Sequence, residues 1–234
     1  MLKTVFITGA DKGLGFSLAQ RFLREGLRVF AGQHRADSDL LKLAGSFPQT
    51  FTSVPLDVTQ LDSVCQAASR VADLTPALDI LINNAGVMLE TRAPLPELDL
   101  ASLPLLTTLD VNTFGPLRVV QQFLPLLEKG GRKLIINISS EAGSISNCWR
   151  ESEFAYSMSK AALNMQSKIL QNYLKPRGFK ILAVHPGWMI TDMGGAQADI
   201  QPDEAAEGIF HLAEKNWDPG DEIYMDYRGQ PLSW

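Results

Sequence analysis

Short apolar runs alternate along the chain with longer segments of helical periodicity. The apolar runs have the composition of β-strands, and helical or capping patterns separate nearly all of them. The predicted strands are Thr4–Thr8, Arg28–Ala31, Thr52–Pro55, Ile80–Asn83, Lys133–Ser139, Lys180–His185 and Glu222–Met225. Parallel strands need crossovers of this kind. The pattern therefore predicts an α/β fold: a doubly wound, mainly parallel seven-stranded sheet with helices on both faces.

Two of these runs, "LIINIS" and "ILAVH", show no alternation of polar and apolar residues. Strands that are buried on both faces have this pattern, so both runs are expected near the centre of the sheet. In doubly wound sheets, ligands bind at the carboxyl ends of the strands, near the point where the strand order reverses. The residues directly after each strand are therefore the first candidates for chemistry.

Composition narrows the range of partners. With no linker or repeat in 234 residues, residues 1–234 are expected to form a single domain. A net charge of -5 without a basic stripe argues against nucleic acid. No uncharged apolar run reaches the roughly 18–20 residues of a membrane span, and Gly9 interrupts the N-terminal run too early for a signal peptide. We expect a cytoplasmic protein with a small-molecule partner. The two cysteines lack metal-ligand spacing, so no metal is expected.

Three glycines lie where the first predicted strand passes into a helix, in "TGADKGLG". Gly9 permits a tight turn, Gly13 lets the backbone approach a pyrophosphate, and Gly15 permits close packing of helix on strand. The helix N-terminus adds free N–H groups and a partial positive charge. A plain glycine-rich turn is the alternative, but the strand before it and the helix after it favour a dinucleotide site.

Further motifs follow in order along the chain: "LDV" at 56–58, "NNAG" at 83–86, "VNTFGP" at 111–116, "NISS" at 137–140, "YSMSK" at 156–160 and "HPGWMITDM" at 185–193. With the glycine turn, they make the chain resemble the short-chain dehydrogenase/reductase family over essentially its whole length. The ending "GDEIYMDYRGQPLSW" resembles the branch of C-factor-like and Sniffer-like carbonyl reductases. The resemblance implies a Rossmann fold and hydride transfer between a nicotinamide and a carbonyl or secondary alcohol carbon.

Tyr156 and Lys160 are four residues apart, so they share one face of a helix. A neighbouring ammonium favours phenolate and brings the tyrosine toward use as a general acid or base. The resemblance adds Ser140 as the residue that orients the substrate oxygen. It also adds Asn112, at a helix irregularity, as support for a proton relay. Ser139 is the alternative to Ser140 as the catalytic serine. Otherwise Ser139 is expected to form hydrogen bonds with the local backbone.

His185 is expected to be a packed, hydrogen-bonded histidine and not an acid or base. The expected cofactor-binding residues are Thr8, Gly9, Lys12, Gly13, Leu14, Gly15, His34, Arg35, Asp57, Val58, Asn84, Ala85, Gly86, Tyr156, Lys160, Pro186, Gly187 and Thr191.

The end of the second strand predicts which cofactor is used. Gln33 stands where an NAD site places a carboxylate, and His34, Arg35 and Lys12 offer cations to a 2′-phosphate. NADP(H) is therefore expected, with NAD(H) as the alternative. The competing interpretation is that His34 and Arg35 are solvated turn residues.

The segment between Ser140 and Tyr156 is longer than is usual in the family, so we expect residues 141–155 to govern substrate choice. Trp149 and Phe154 are candidates to line the substrate rim. The resemblance also implies homodimers or homotetramers that pair through the helices of Asn112 and Tyr156. It leaves a second function open, a cofactor-binding signalling protein of the C-factor type with incidental turnover.

Overall fold

The computed structural model describes residues 2–34, 40–90, 94–218 and 220–234. The strands are β1 (Thr4–Ile7), β2 (Arg28–Gln33), β3 (Phe51–Pro55), β4 (Ile80–Asn83), β5 (Leu134–Ile138), β6 (Lys180–His185) and β7 (Tyr224–Asp226). The helices are α1 (Gly13–Arg24), α2 (Leu40–Ser46), α3 (Leu61–Leu74), α4 (Leu103–Leu109), α5 (Gly115–Leu127), α6 (Phe154–Leu174) and α7 (Pro202–Glu214). A π-helical turn, Asp110–Phe114, joins α4 to α5, and Glu141–Gly143 form a 3₁₀ turn after β5.

The strands form one seven-stranded sheet in the order β3-β2-β1-β4-β5-β6-β7. Every neighbouring pair is parallel, including β6 with β7. The chain winds outward from β1 through β2 to β3, then crosses back and continues from β4 on the other side of β1. The order therefore reverses between β1 and β4. This confirms the doubly wound α/β fold.

Helices cover both faces because successive side chains of each apolar strand point in opposite directions. In β5, Leu134 and Ile136 belong to the core beneath α1, α2 and α7, whereas Ile135 belongs to the core beneath α3, α5 and α6. The central strands carry no polar alternation because neither of their faces meets water.

The second strand is longer than the sequence predicts. It continues beyond Ala31 through Gly32 to Gln33. A Cβ at Gly32 would lie 2.8 Å from Cδ2 of Leu56 and 3.2 Å from the carbonyl oxygen of Ile7, so a side chain here would require its neighbours to shift. A glycine that looks like the end of a strand is instead a point of close packing inside one.

Candidate active site

The glycine turn after β1 has the backbone geometry that glycine alone adopts readily. Gly9 has a φ of +62° and Gly13 a φ of +53°. A Cβ at Gly9 would lie 2.9 Å from Cα of Ala85, and one at Gly15 would lie 2.1 Å from the carbonyl oxygen of Gly9. Helix α1 therefore packs directly on the turn, as the three-glycine spacing predicts.

The N-terminus of α1 fits a diphosphate. Lys12 precedes the helix, its side chain makes no capping hydrogen bond in the described part of the chain, and the first turn of α1 holds no acidic residue. The first N–H groups of a helix lack partners within it and carry partial positive charge. Leu14 is buried, so its contribution here is its backbone and its packing.

Thr8 and Asn84 join the glycine turn to the segment after β4. The Thr8 hydroxyl accepts the backbone N–H groups of Asn84 at 3.0 Å and Ala85 at 2.9 Å. Asn84 Nδ2 donates in turn to the carbonyl oxygens of Thr8 at 2.9 Å and Gly9 at 3.0 Å. Both residues therefore hold the turn in shape, and their contact with a cofactor stays a prediction.

The expected adenine end of the site lies beyond β2 and β3. Nε2 of His34 is 3.8 Å from Oδ2 of Asp57, and Asp57 Oδ1 accepts the backbone N–H and the hydroxyl of Thr59 at 2.9 and 2.7 Å. Val58 is buried beneath Gly115, where a Cβ would lie 2.9 Å from Val58 Cγ2. Arg35 lies outside the described residues.

The segment after β6 lies against the glycine turn. Gly187 has a φ of +85° and follows the buried Pro186. A Cβ at Gly13 would lie 3.4 Å from Cγ2 of Thr191, and the Thr191 hydroxyl accepts the N–H of Gly194 at 3.1 Å. Next to Thr191, Asp192 forms an ion pair with Lys12 at 2.6 Å. The cation expected to meet a 2′-phosphate thus already has an anionic partner.

One face of α6 meets the segment 138–143 through side chains spaced four residues apart. The Ser140 side chain lies beside the Tyr156 hydroxyl and acts to lower its pKa. Lys160 Nζ donates to the carbonyl oxygen of Ile138 at 2.8 Å. Asn164 Nδ2 donates to the carbonyl oxygen of Gly143 at 3.2 Å. The structure thus brings Ser140, Tyr156 and Lys160 together.

The two neighbouring serines have different partners. The Ser139 hydroxyl donates to Oδ1 of Asn164 at 2.6 Å, so the expectation that it satisfies local backbone is wrong. Ser140 Oγ accepts the N–H of Ala142 at 3.1 Å, and the Ser140 carbonyl accepts the Tyr224 hydroxyl at 2.7 Å. Of the two serines, Ser140 is the one beside Tyr156.

Asn112 is buried in the π-helical turn, so the expected helix irregularity is present. Its Oδ1 accepts the N–H of Val87 at 2.8 Å, and its Nδ2 donates to the Val87 carbonyl at 2.8 Å and to Ser159 Oγ at 3.0 Å. A Cβ at Gly86 would lie 3.4 Å from Asn112 Oδ1 and 3.6 Å from Lys160 Nζ. Asn112 thus fixes the segment after β4 beside Lys160.

Burial has the largest effect on the pKa values of both Tyr156 and Lys160. It raises the pKa of Tyr156, while the Ser140 side chain and the charge of Arg150 oppose that rise. It lowers the pKa of Lys160 to about 8. Lys160 Nζ lies 5.7 Å from the Tyr156 ring centroid. The sequence predicts Lys160 as the cation that lowers the tyrosine pKa, and this role stays a prediction. Arg150 is a second cation that acts to lower it.

A cavity of about 590 Å³ opens between the loop after β5 and the segments after β6 and β7; Glu141, next to Ser140, lines it, whereas Ser140, Tyr156 and Lys160 do not. Trp149, Trp188 and Tyr227 supply aromatic walls, and Glu141 and His185 supply polar atoms. Trp149 lines this cavity, whereas Phe154 begins α6 and is not among the lining residues, and that the cavity is the substrate rim stays a prediction.

His185 differs from expectation, and Glu141 belongs to an ion-pair network. Within the described ranges, Nδ1 of His185 is buried without a hydrogen-bond partner, and burial lowers the pKa of this imidazole. The prediction of a hydrogen-bonded histidine is wrong for Nδ1. Glu141 is ion-paired with Arg150, which also pairs with Glu153. Arg150 thereby ties together the two ends of the loop between β5 and α6.

Four residues around the site are absent from the sequence-based prediction: Glu90, Arg150, Asn164 and Tyr224. Asn164 follows Lys160 by four residues, so helical spacing was an available signal for it. The other three reach the site from loops or from a separate strand, and no local spacing marks them. Among the described residues, no three His, Cys, Asp or Glu side chains gather as a metal site requires.

Comparison with known proteins agrees with this geometry. The family model for short chain dehydrogenases matches residues 3–202. C-signal of Myxococcus xanthus is 34% identical over 160 residues, which are 68% of this chain and 95% of that protein. The NADPH-bound carbonyl reductase from chicken fatty liver superposes with a TM-score of 0.90 at 32% identity, covering 100% and 99% of the two chains. The carbonyl reductase Sniffer of D. melanogaster superposes with a TM-score of 0.93 at 29% identity, covering 100% of each chain.

Proposed function

Because the chain belongs to the short-chain dehydrogenase family, we propose that this oxidoreductase transfers a hydride between NADP(H) and a carbonyl or secondary alcohol carbon. The observation that carries the proposal is the convergence of the Ser140 side chain and the Lys160 ammonium on Tyr156, with Lys160 Nζ 5.7 Å from the tyrosine ring centroid. A half-buried phenol beside a hydroxyl group is suited to give a proton to a carbonyl oxygen.

The residues present fit a nicotinamide dinucleotide. The cradle formed by Gly9, Gly13 and the N-terminus of α1 is suited to the diphosphate. Asp57 and His34 flank the adenosine side, and the segment from Pro186 to Thr191 flanks the nicotinamide side. The cofactor supplies the hydride. The structural relative from chicken fatty liver contains NADPH, which supports the choice of NADP(H) over NAD(H).

In reduction, Tyr156 gives its hydroxyl proton to the substrate oxygen while Ser140 donates a hydrogen bond that orients the same oxygen. The Lys160 ammonium stabilises the resulting phenolate through its charge, and it would also hold the cofactor ribose. Asn112, buried in the π-helical turn, supports return of a proton toward Lys160. In oxidation of an alcohol the same groups act in reverse.

The body of the substrate is proposed to occupy the cavity between the loop after β5 and the segments after β6 and β7. Its volume of about 590 Å³ and its aromatic walls suit a carbonyl compound with an apolar or aromatic portion. Trp149 and Glu141 belong to the loop 141–155, so this loop contributes walls to the cavity and no proton-transfer group. This supports its proposed role in substrate choice.

The test is Tyr156→Phe, assayed with NADPH and a panel of aldehydes, ketones and quinones. The substitution removes the transferable proton and little volume, so kcat should fall by about 100-fold or more while cofactor affinity stays within about twofold. Tyr173→Phe is the matched control, because Tyr173 is exposed on the same helix. A Tyr156→Phe enzyme with more than about half of the wild-type kcat would overturn the assignment.

A second candidate is a cofactor-binding signalling protein of the C-factor type, and the similarity to C-signal favours it. The same panel separates the two functions. Steady consumption of NADPH that depends on Tyr156 supports an enzyme, whereas cofactor binding without turnover on any substrate supports the second candidate.

No helix among the described residues is long and apolar enough to cross a membrane. A cytoplasmic location and assembly into a homodimer or homotetramer are part of the proposal.

A further inference from the structure

The helix that carries Tyr156 receives its N-terminal cap from another part of the chain. Glu153, the residue before α6, has a φ of +62° and makes no side-chain cap among the described residues, and its carboxylate is ion-paired with Arg150. The first turn of α6 contains no acidic residue. The first N–H groups of this helix therefore need an acceptor from elsewhere.

Glu90 supplies that acceptor. Its Oε1 accepts the backbone N–H of Tyr156 at 2.6 Å, and its Oε2 accepts that of Ala155 at 3.0 Å. The carboxylate lies at the positive end of the helix dipole, so both hydrogen bonds are charge-assisted. Tyr156 is consequently held at its backbone by Glu90, while its hydroxyl lies beside the Ser140 side chain.

Glu90 lies in the connection that follows β4, and residues 84–87 of the same connection contact other parts of the site. Asn84 donates to the carbonyl oxygens of the glycine turn, and Val87 pairs through its N–H and carbonyl with the side chain of Asn112. One connection therefore touches the predicted cofactor cradle, the π-helical turn and the N-terminus of the catalytic helix. Within it, Glu90 is the residue that reaches Tyr156.

We propose that Glu90 is a positioning residue that sets the backbone of Tyr156 for proton transfer by capping α6 with both carboxylate oxygens. The proposal rests on the function proposed above, in which Tyr156 is the proton donor. Glu90 touches neither substrate nor cofactor in this account. Its effect should therefore be on kcat and should act only through Tyr156.

The experiment compares Glu90→Gln and Glu90→Ala with the wild-type enzyme, and Glu97→Gln serves as control because Glu97 is an exposed carboxylate on the same connection. Glu90→Gln keeps the shape but leaves one acceptor oxygen for two N–H donors, so kcat should fall about tenfold. Glu90→Ala removes both acceptors and should lower kcat about 100-fold. The Kd for NADPH should change by less than about twofold, and Glu97→Gln should match wild type.

A structural role is separated from a positioning role by repeating Glu90→Gln in a Tyr156→Phe background. Residues that act as one unit have strongly non-additive effects, so the double variant should be no slower than Tyr156→Phe alone. A further tenfold loss in the double variant would overturn the proposal. So would a Glu90→Gln enzyme with wild-type kcat, or one whose lost activity equals its loss of folded protein by circular dichroism. Failure of Tyr156→Phe to reduce turnover would instead defeat the proposed function.

Discussion

At the scale of the residue, desolvation shifts the pKa values of the two central titratable groups, Lys160 and Tyr156. Lys160 is 5% exposed, and burial alone accounts for the drop in the pKa of its ammonium to about 8. The pKa of Tyr156 moves upward for the same reason. The proton affinities of the two groups therefore move apart from nearly equal ordinary values, and the phenol becomes the weaker acid.

This difference predicts the pH dependence of carbonyl reduction. Tyr156 must be protonated to act as an acid, and its raised pKa keeps it so throughout the neutral range. The Lys160 ammonium is the group that loses its proton first, so kcat should be level near neutral pH and fall as the pH rises through about 8. The measurement is kcat for a saturating ketone with NADPH at a series of pH values.

A Lys160→Met variant provides the comparison for that profile. Its kcat should be low at every pH and should not decline near pH 8. A wild-type profile that stays level from about pH 6 to about pH 10 would contradict the assignment of this limb to Lys160.

At the scale of the element, α6 fits against the end of β5 through a row of polar side chains. Tyr156, Lys160 and Asn164 follow one another at the spacing of a helical turn and contact successive atoms of the segment 138–143. One turn further along, Ser167 Oγ accepts Asn137 Nδ2 at 2.8 Å, and Asn83 donates to Asn137 Oδ1 at 2.8 Å. The catalytic helix is thus fixed to the strand that carries Ser140.

The sequence predicts the part of this arrangement that local spacing encodes. The strands, the glycine turn and the pairing of Tyr156 with Lys160 all follow from periodicity or from motifs, and the structure reproduces their arrangement. The cap from Glu90 joins residues 66 positions apart, and the hydrogen bond from Tyr224 to Ser140 spans 84. No pattern within a single element indicates which side chain of a distant loop will reach a helix end. These contacts therefore require the folded chain.

The segment after β6 bears on the choice of cofactor. Asp192 is 2.6 Å from Lys12, and the two side chains are 81% and 55% exposed, so the ion pair is weak and a 2′-phosphate can replace the carboxylate. We expect kcat/KM to favour NADPH over NADH by at least about tenfold, because phosphate forms charge-assisted hydrogen bonds with cations. Lys12→Ala and Arg35→Ala should each reduce that preference.

Asp192→Asn should increase the preference for NADPH by about two- to fivefold, since it frees the Lys12 ammonium from a competing anion. The measurement is the ratio of kcat/KM for the two cofactors in each variant. Lys3→Ala is the control, because Lys3 forms an ion pair with Glu214 away from the cradle. Equal or better efficiency with NADH would contradict the interpretation of His34 and Arg35, while leaving the proton-transfer residues unaffected.

At the scale of the whole molecule, apolar side chains are exposed along the outer side of α5 and α6. Phe114, Leu117, Met165 and Ile169 all belong to this surface or to the π-helical turn beside it. The sequence leaves open whether Leu163, Ile169 and Leu170 face a subunit contact or the core. In the structure Leu163 and Leu170 are buried, whereas Ile169 is 58% exposed. Ile169 is therefore the one of the three that is available for a contact between subunits.

We predict that the protein assembles through this surface into a homodimer or homotetramer, because several large apolar side chains exposed on these elements are unfavourable in water and are commonly covered by a partner. Ile169→Glu and Met165→Glu place a charge in the contact and should convert the assembly to monomers. Light scattering coupled to size-exclusion chromatography measures the mass. The control is Leu41→Glu, since Leu41 is 75% exposed on α2, across the sheet from α6, and its substitution should leave the mass unchanged. A wild-type protein that is monomeric at micromolar concentrations would contradict the prediction, and so would an Ile169→Glu variant that keeps the wild-type mass.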